Sequence, residues 1–211
     1  MATSADRLVG TTQVRVSMPT APGSVGIFGG TFDPLHLGHV AAAERARQSL
    51  GLEVVLLVVA NDPWQKSPDR QVSPGEERLA MARLGVEGHQ GIEVCDLEVA
   101  RGGPSYTIDT VEELAQSGVM LPWLVVGADL AGMLDTWERA DELRHLVRVA
   151  VLSRPGSPLR LPAGWRSVAI ESDDLDISSS DIRRDVRAGL PLAGRVPEDI
   201  IRHISQQGLY A

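Results

Sequence analysis

The chain has 211 residues, 43% of them apolar and 23% charged, which suits a folded globular domain and excludes disorder along most of its length. Its 20 basic residues are outnumbered by 28 acidic ones, for a formal charge of -8, so no overall positive field exists to hold a nucleic acid by counterion release. Cys95 is the only cysteine, which rules out an internal disulfide and a cysteine-rich zinc site.

Residues 1–24 are rich in Thr, Ser and Pro without a clear period and are expected to form a flexible extension, with one domain over residues 25–211. No apolar run approaches the roughly 20 residues needed to span a bilayer, and the polar N-terminus lacks a secretory core. The expectation is a cytoplasmic protein without a membrane or nucleic-acid partner. The sequence leaves oligomeric state open, a homo-oligomer included.

In chain order, Val25 to Phe28 is an apolar run that ends in Gly29-Gly30 and reads as the first strand. Gly38 to Leu50 is Ala-rich, full of strong helix formers, and stops at Gly51. Glu53 to Ala60 is continuously apolar, as in a parallel strand buried on both faces. A helix carrying Leu79, Met81, Ala82 and Leu84 follows Pro74, and a strand spans Ile92 to Cys95.

The alternation continues. Thr107 to Gln116 reads as a helix and Leu121 to Val126 as a strand, followed by a helix over Glu138 to Leu146 and a strand over Val147 to Ser153. A short strand around Val168 to Ile170 precedes two helices, Ser179 to Ala188 and Glu198 to Gln207. Strands alternating with helices imply βαβ units. The fold class is therefore α/β, a Rossmann-like doubly wound parallel sheet with helices on both faces and a small C-terminal helical part. The stretches from Asn61 to Ser73 and from Val99 to Tyr106 are longer than plain connectors need and are candidate binding loops.

In such a sheet the ligand sits beyond the carboxyl ends of the strands, so the loop after the first strand is the first place for chemistry. It reads Gly29-Gly30-Thr31-Phe32-Asp33-Pro34-Leu35-His36-Leu37-Gly38-His39. The glycines let backbone approach a bulky ligand, and His36 and His39 straddle a helix start whose unpaired N–H groups already favour anions. With no third His or Cys nearby, the pair reads as phosphate donors rather than as a metal site. Neither the dinucleotide glycine fingerprint nor a P-loop is present. Near the C-terminus, Ile177-Ser178-Ser179-Ser180-Asp181-Ile182-Arg183 offers hydroxyls and N–H groups at another helix start, with Arg183 one turn on as a planar fork for the same oxygens. The ordinary alternative is a Ser N-cap followed by a solvated Arg. His89, His145 and His203 have no partner pattern and are expected to be solvated. Trp123 is expected in the core and Trp64 in loop packing.

The first loop resembles the phosphate-binding motif of the nucleotidyltransferase superfamily, whose pattern ends His-x-Gly-His, and the Ile177 to Arg183 segment resembles its second motif. The two stand in the right order, roughly 140 residues apart. Pro63-Trp64-Gln65-Lys66, Arg101 to Thr110, Gly127-Ala128-Asp129, Thr136-Trp137 and Ser153 to Gly156 narrow the resemblance to bacterial nicotinate-mononucleotide adenylyltransferases, over about residues 25 to 210. The resemblance implies that Gly29, Gly30, Thr31, Phe32, His36, His39, Gly127, Asp129, Ile177, Ser178 and Arg183 face ATP. It implies that Lys66, the chain's only lysine, faces the mononucleotide with Tyr106, Thr107 and Trp137. His36, His39, Lys66 and Arg183 are then the catalytic set, ATP and nicotinate mononucleotide the partners, and Mg²⁺, held mainly by ATP, the cofactor. The departures from the family pattern are the leader and Glu138, where some members carry an aromatic residue. Readings left open are a pantetheine-phosphate adenylyltransferase or cytidylyltransferase, and a non-catalytic nucleotide-sensing module.

Overall fold

The computed structural model describes residues 21–62, 72–153, 163–172 and 177–211. Six strands form one sheet in these residues: β1 (Val25–Gly30), β2 (Val54–Val59), β3 (Ile92–Cys95), β4 (Trp123–Gly127), β5 (Arg148–Ser153) and β6 (Ser167–Glu171). Their spatial order is β3-β2-β1-β4-β5-β6 and every neighbouring pair is parallel. The doubly wound α/β architecture expected from the alternating pattern is present. All six residues of β2 are buried, as its unbroken apolar run requires of a strand covered on both faces.

The helices are α1 (Leu37–Leu50), α2 (Gly75–Val86), α3 (Leu97–Arg101), α4 (Thr107–Gln116), α5 (Ala128–Ala131), α6 (Ala140–Leu146), α7 (Ser179–Arg187) and α8 (Glu198–Gln207). Side-chain alternation along the strands splits the core. Ile27, Leu56, Val58, Leu124, Val126 and Val151 pack against Leu97, Ile108, Leu114, Leu134 and Leu143, which places α3, α4 and α6 on one face. Val55, Leu57 and Val59 pack against Leu79, Met81, Ile182, Ile200 and Ile204, which places α2, α7 and α8 on the other. The alanines of α1 meet Val125, Ala150 and Leu152 on that second face. No helix among the described residues is long and apolar enough to cross a membrane.

Two short helices, α3 and α5, fall where the sequence reads as loop or carries no element. At five and four residues each is a single turn or little more, too short to show a hydrophobic period. The expected helix from Glu138 begins instead at Ala140, because Arg139 adopts a left-handed backbone at φ 50° and breaks the run. His89 and His203 are not simply solvated. His89 Nδ1 lies 2.7 Å from Glu44 Oε1, and His203 Nε2 lies 2.8 Å from Glu77 Oε2, joining α8 to α2. Each carboxylate is distant in sequence from its histidine, which is why no local pattern announces the pairing. Trp123 is half-buried rather than core, with the Arg148 guanidinium 5.5 Å above its ring.

Candidate active site

The sheet opens between β1 and β4. β1 runs in register with β2 for six pairs, whereas β1 and β4 pair only at Gly26–Trp123 and Ile27–Leu124. Beyond Ile27 the two strands part, at the point where the winding direction reverses. The resulting cleft has a volume of about 630 Å³, enough for a nucleotide-sized ligand. Among the predicted site residues, its walls bring together Gly29, Gly30, Thr31, Phe32, His36, His39, Tyr106, Thr107, Gly127, Asp129, Trp137, Ile177 and Ser178.

On the first wall, a Cβ on Gly29 would meet nothing within 4 Å, so bare backbone faces open space there. A Cβ on Gly30 would come within 2.7 Å of the Phe32 ring. Phe32 itself is buried with φ 49°, a left-handed backbone that costs a non-glycine residue about 1–2 kcal/mol. Its ring is wedged edge-on against Phe28 at 6.0 Å and His39 at 5.0 Å. The loop is thus held in a strained shape by packing on both sides, a common state for a ligand clamp.

His36 is the N-cap of α1, and its ring stacks on that of His39 with centroids 3.6 Å apart. The His36 backbone N–H donates to His39 Nδ1 at 3.3 Å, which places the His39 ring proton on Nε2. Burial depresses the His36 pKa from 6.5 to about 4, so that imidazole is neutral at pH 7. Its Nδ1 is buried with no partner among the described residues. The pair therefore presents ring donors and helix N–H groups, with no full positive charge on His36.

The second wall is built from α3, the segment after it and the start of α4. Glu98 on α3, unremarked in the sequence, is only 7% exposed and lines the cleft. Its Oε1 accepts the Thr110 hydroxyl at 2.7 Å, and Arg101 donates to the same Thr110 oxygen at 3.2 Å. Burial raises the Glu98 pKa, opposed by hydrogen bonds from Thr110 and Ser105. Beside it, Tyr106 is the N-cap residue of α4 without a side-chain cap, so the first turn of α4 presents its positive end toward the cleft. The indole Nε1 of Trp137 is buried without a hydrogen-bond partner among the described residues. Among the described residues lining the cleft are the acids Glu98, Asp129 and Glu138 but no Lys or Arg.

Arg183 is not brought to that lining. Its guanidinium is buried, with Nη1 donating to the Asp33 carbonyl and Nη2 to Ser180 Oγ at 3.1 Å. The N-cap of α7 is Ser178, whose Oγ accepts the Ser180 N–H at 3.2 Å. The ordinary reading of a Ser N-cap holds at Ser178, not at Ser180, and the Arg that follows is buried rather than solvated. Lys66 and Trp64 lie outside the described residues.

A buried polar cluster backs the first loop, and the sequence reading missed it. Asp33 is 2% exposed; its Oδ1 accepts the Tyr210 hydroxyl at 2.6 Å, and its Oδ2 accepts the Ser73 N–H at 3.4 Å. Arg78 on α2 is 1% exposed, and desolvation lowers its pKa while Asp33 opposes that shift. An arginine on the same helix as Leu79, Met81 and Ala82 reads as surface, because its partners are backbone carbonyls that carry no sequence signal.

Residues 27–185 match the family model described as cytidylyltransferase-like. A relative from Roseiflexus sp. (strain RS-1), named a probable nicotinate-nucleotide adenylyltransferase, is 39% identical over 201 residues, covering 92% of this chain and 100% of its own. The chain belongs to the nicotinate-nucleotide adenylyltransferase family. A second member, from Herpetosiphon aurantiacus and named likewise, is 40% identical over 196 residues, covering 88% of this chain and 98% of its own. The fold of this family member is shared with the nicotinic acid mononucleotide adenylyltransferase of Plasmodium falciparum complexed with NaAD, at a TM-score of 0.71 and 17% identity over 88% of this chain and 96% of that one.

Proposed function

We propose that this protein transfers the adenylyl group of ATP to nicotinate mononucleotide, releasing pyrophosphate and forming nicotinate adenine dinucleotide, a step of NAD biosynthesis. The observation that carries the reading is one cleft with two helix N-termini facing it. The start of α1 with His36 and His39 suits a polyphosphate, and the start of α4 with Tyr106, Thr107 and Trp137 suits an aromatic acid.

The acceptor phosphate has a second pKa near 6 and is largely a dianion at neutral pH. It attacks the α-phosphorus of ATP, the bond from that phosphorus to the bridging oxygen breaks, and pyrophosphate leaves with the electron pair. No general base is needed. The protein's tasks are alignment of the two phosphates and stabilisation of charge on the leaving group. His39 Nε2–H and His36 act as preorganised donors, and the N–H groups of the first turn of α1 add the positive end of the helix dipole. Asp129, in the cleft lining, is assigned to accept hydrogen bonds from the ribose hydroxyls. Lys66 is assigned to the acceptor phosphate on the resemblance alone.

A Mg²⁺ ion held by the ATP phosphates would screen the charge that builds on pyrophosphate. Among the described residues no group of three His, Cys, Asp or Glu side chains could hold a metal ion. Arg183 supports the site from behind, through the Asp33 carbonyl and Ser180.

The deciding experiment is pyrophosphate release from ATP with Mg²⁺ and a panel of acceptors. Nicotinate mononucleotide is expected to exceed nicotinamide mononucleotide in kcat/KM by at least about 10²-fold, since hydrogen bonds to a charged group contribute about 1.5–3 kcal/mol and every ~1.4 kcal/mol is tenfold. Glu98 works against this preference, being an acceptor in the wall, and its engagement by Thr110 and Ser105 limits the repulsion. Equal kcat/KM for the two nucleotides would make a dual-specificity enzyme the better reading. Turnover of phosphopantetheine in their place would move the protein elsewhere in the superfamily, and ATP binding without turnover of any acceptor would make it a sensor.

A further inference from the structure

The Arg78 side chain meets four separate backbone carbonyls. Nε donates to Ser73 O at 2.8 Å, Nη1 to Thr31 O at 3.0 Å and to Ala60 O, and Nη2 to Asn61 O at 3.0 Å. Thr31 belongs to the loop that carries His36 and His39, on the ATP side. Ala60 and Asn61 lie just past β2, and Asn61 continues the connection. Its N–H donates to Ser105 Oγ at 2.8 Å, its Nδ2 donates to Gly103 O at 2.9 Å, and the Ser105 N–H returns a bond to Asp62 O at 3.1 Å. Ser105 directly precedes Tyr106 and Thr107 at the start of α4, the acceptor side of the cleft.

We infer that Arg78 is a positioning residue that fixes the spacing between the ATP loop and the acceptor loop, so that the two phosphates meet in line. The inference rests on the assignment of the two walls to ATP and to the mononucleotide. A planar guanidinium donates along several fixed directions in one plane, and these four acceptors use both of its Nη atoms and Nε. Asp33 supplies the counter-charge, so the fork stays in place within a site from which water is excluded. A lysine ammonium is a single point with three donors and cannot reach all four oxygens. The two loops would then drift relative to each other while the sheet beneath them stays intact. Misplacement of reacting groups by about 1 Å costs about 10²-fold in rate.

The test compares the full-length protein with Arg78→Lys and Asn61→Ala, by steady-state kinetics and by amide hydrogen exchange. Arg78→Lys should lower kcat by about 10- to 100-fold and raise KM for both substrates. Exchange should accelerate at residues 57–62 and 102–106 while that in α8 stays at the parent rate. Asn61→Ala removes one bond of the acceptor branch, from Nδ2 to Gly103 O, and leaves the two made through the backbone of Asn61 and Asp62, so it should raise KM for the mononucleotide and leave KM for ATP within about twofold. Should Arg78→Lys not fold, Asn61→Ala decides alone. Kinetic constants within twofold of the parent in both variants would overturn the inference, as would exchange that rises uniformly over sheet and helices, the mark of general destabilisation. The exchange experiment does not depend on turnover. If the parent releases no pyrophosphate with nicotinate mononucleotide, the functional reading fails, while local exchange still judges whether Arg78 joins the loops.

Discussion

Alanine at Gly29 and at Gly30, adjacent positions at the end of β1, should have opposite consequences. At Gly30 the new Cβ would sit 2.7 Å from Phe32 Cε1 and Cζ, where ordinary contact begins at 3.4 Å, so the ring must retreat by about 0.7 Å. Phe32 is buried, and Phe28 and His39 flank its ring and limit its retreat. Overpacking of this kind costs about 1–3 kcal/mol, and at about 2–4 °C per kcal/mol for a domain of this size Gly30→Ala should lower Tm by about 2–12 °C. The displaced ring pushes on His39, whose edge-on contact is 5.0 Å between centroids. A shift approaching 1 Å at the donor proposed for the leaving group should lower kcat by about 10- to 100-fold.

At Gly29 the Cβ points into open space on the cleft side. Removing a glycine from a strand stabilises by about 0.5–1 kcal/mol, so Tm of Gly29→Ala should hold or rise. The methyl occupies ligand space, and KM for ATP should rise. Both variants are measured by thermal melting and by pyrophosphate release over a range of ATP concentrations. A Gly30→Ala protein with the parent's Tm and kcat would refute the wedge argument, and a Gly29→Ala protein with unchanged KM for ATP would show that the nucleotide does not pass over this backbone.

His39→Ala should lower kcat by about 10² to 10³, the effect of removing one preorganised donor, with little change in KM for the acceptor; an intact kcat with a lowered Tm would make it a packing residue. The His36 pKa is depressed to about 4 from 6.5, so its contribution to stability is complete above pH 6.5. As pH falls toward 4 the unfolded chain takes up the proton first, and at most about 1.4 kcal/mol is lost per pH unit. His36→Asn should therefore lose less Tm than the parent between pH 7 and pH 5, and equal losses would reject the buried neutral imidazole. Amine-directed labelling reports on Lys66 and the α-amino group alone, because there is no other lysine; saturating nicotinate mononucleotide should protect Lys66, and equal labelling would remove it from the site.

Elements whose signal is local were legible in the sequence. The run of apolar residues in β2 needs burial on both faces and has it, and the Ala-rich α1 ends at Gly51, which takes the left-handed conformation at φ 63°. The loop from Gly29 to His39 was legible because glycines and paired histidines at a helix start have few other uses. Arg78 was not. Its contact with Thr31 spans 47 residues and ends on a carbonyl that any residue would supply. Glu98 was hidden for a related reason, since Thr110 lies on another helix and Glu98 falls between the expected strand ending at Cys95 and the expected loop starting at Val99. Arg183 lies about one turn into α7, yet its fork is turned toward the backbone of Asp33 and not into the cleft. Sequence spacing fixes the position of a long side chain and leaves its direction to the packing around it.

The hydrogen bond from Tyr210 to Asp33 joins residues 177 positions apart, while the family-wide match ends at residue 185. A fragment cut after α7 would keep all six strands, both histidines and the second motif. It would also leave a buried carboxylate short of a donor immediately beneath the loop that is to bind phosphate, and such a loss costs about 1–3 kcal/mol or more for a charged group. Expression of a minimal unit, or fusion of a tag directly after Leu209, would disturb the ATP side of the cleft from the far end of the chain. Support for the loop after β1 thus reaches past the sheet and past α7, to the Tyr210 hydroxyl and to the packing of Ile200 and Ile204 on α8.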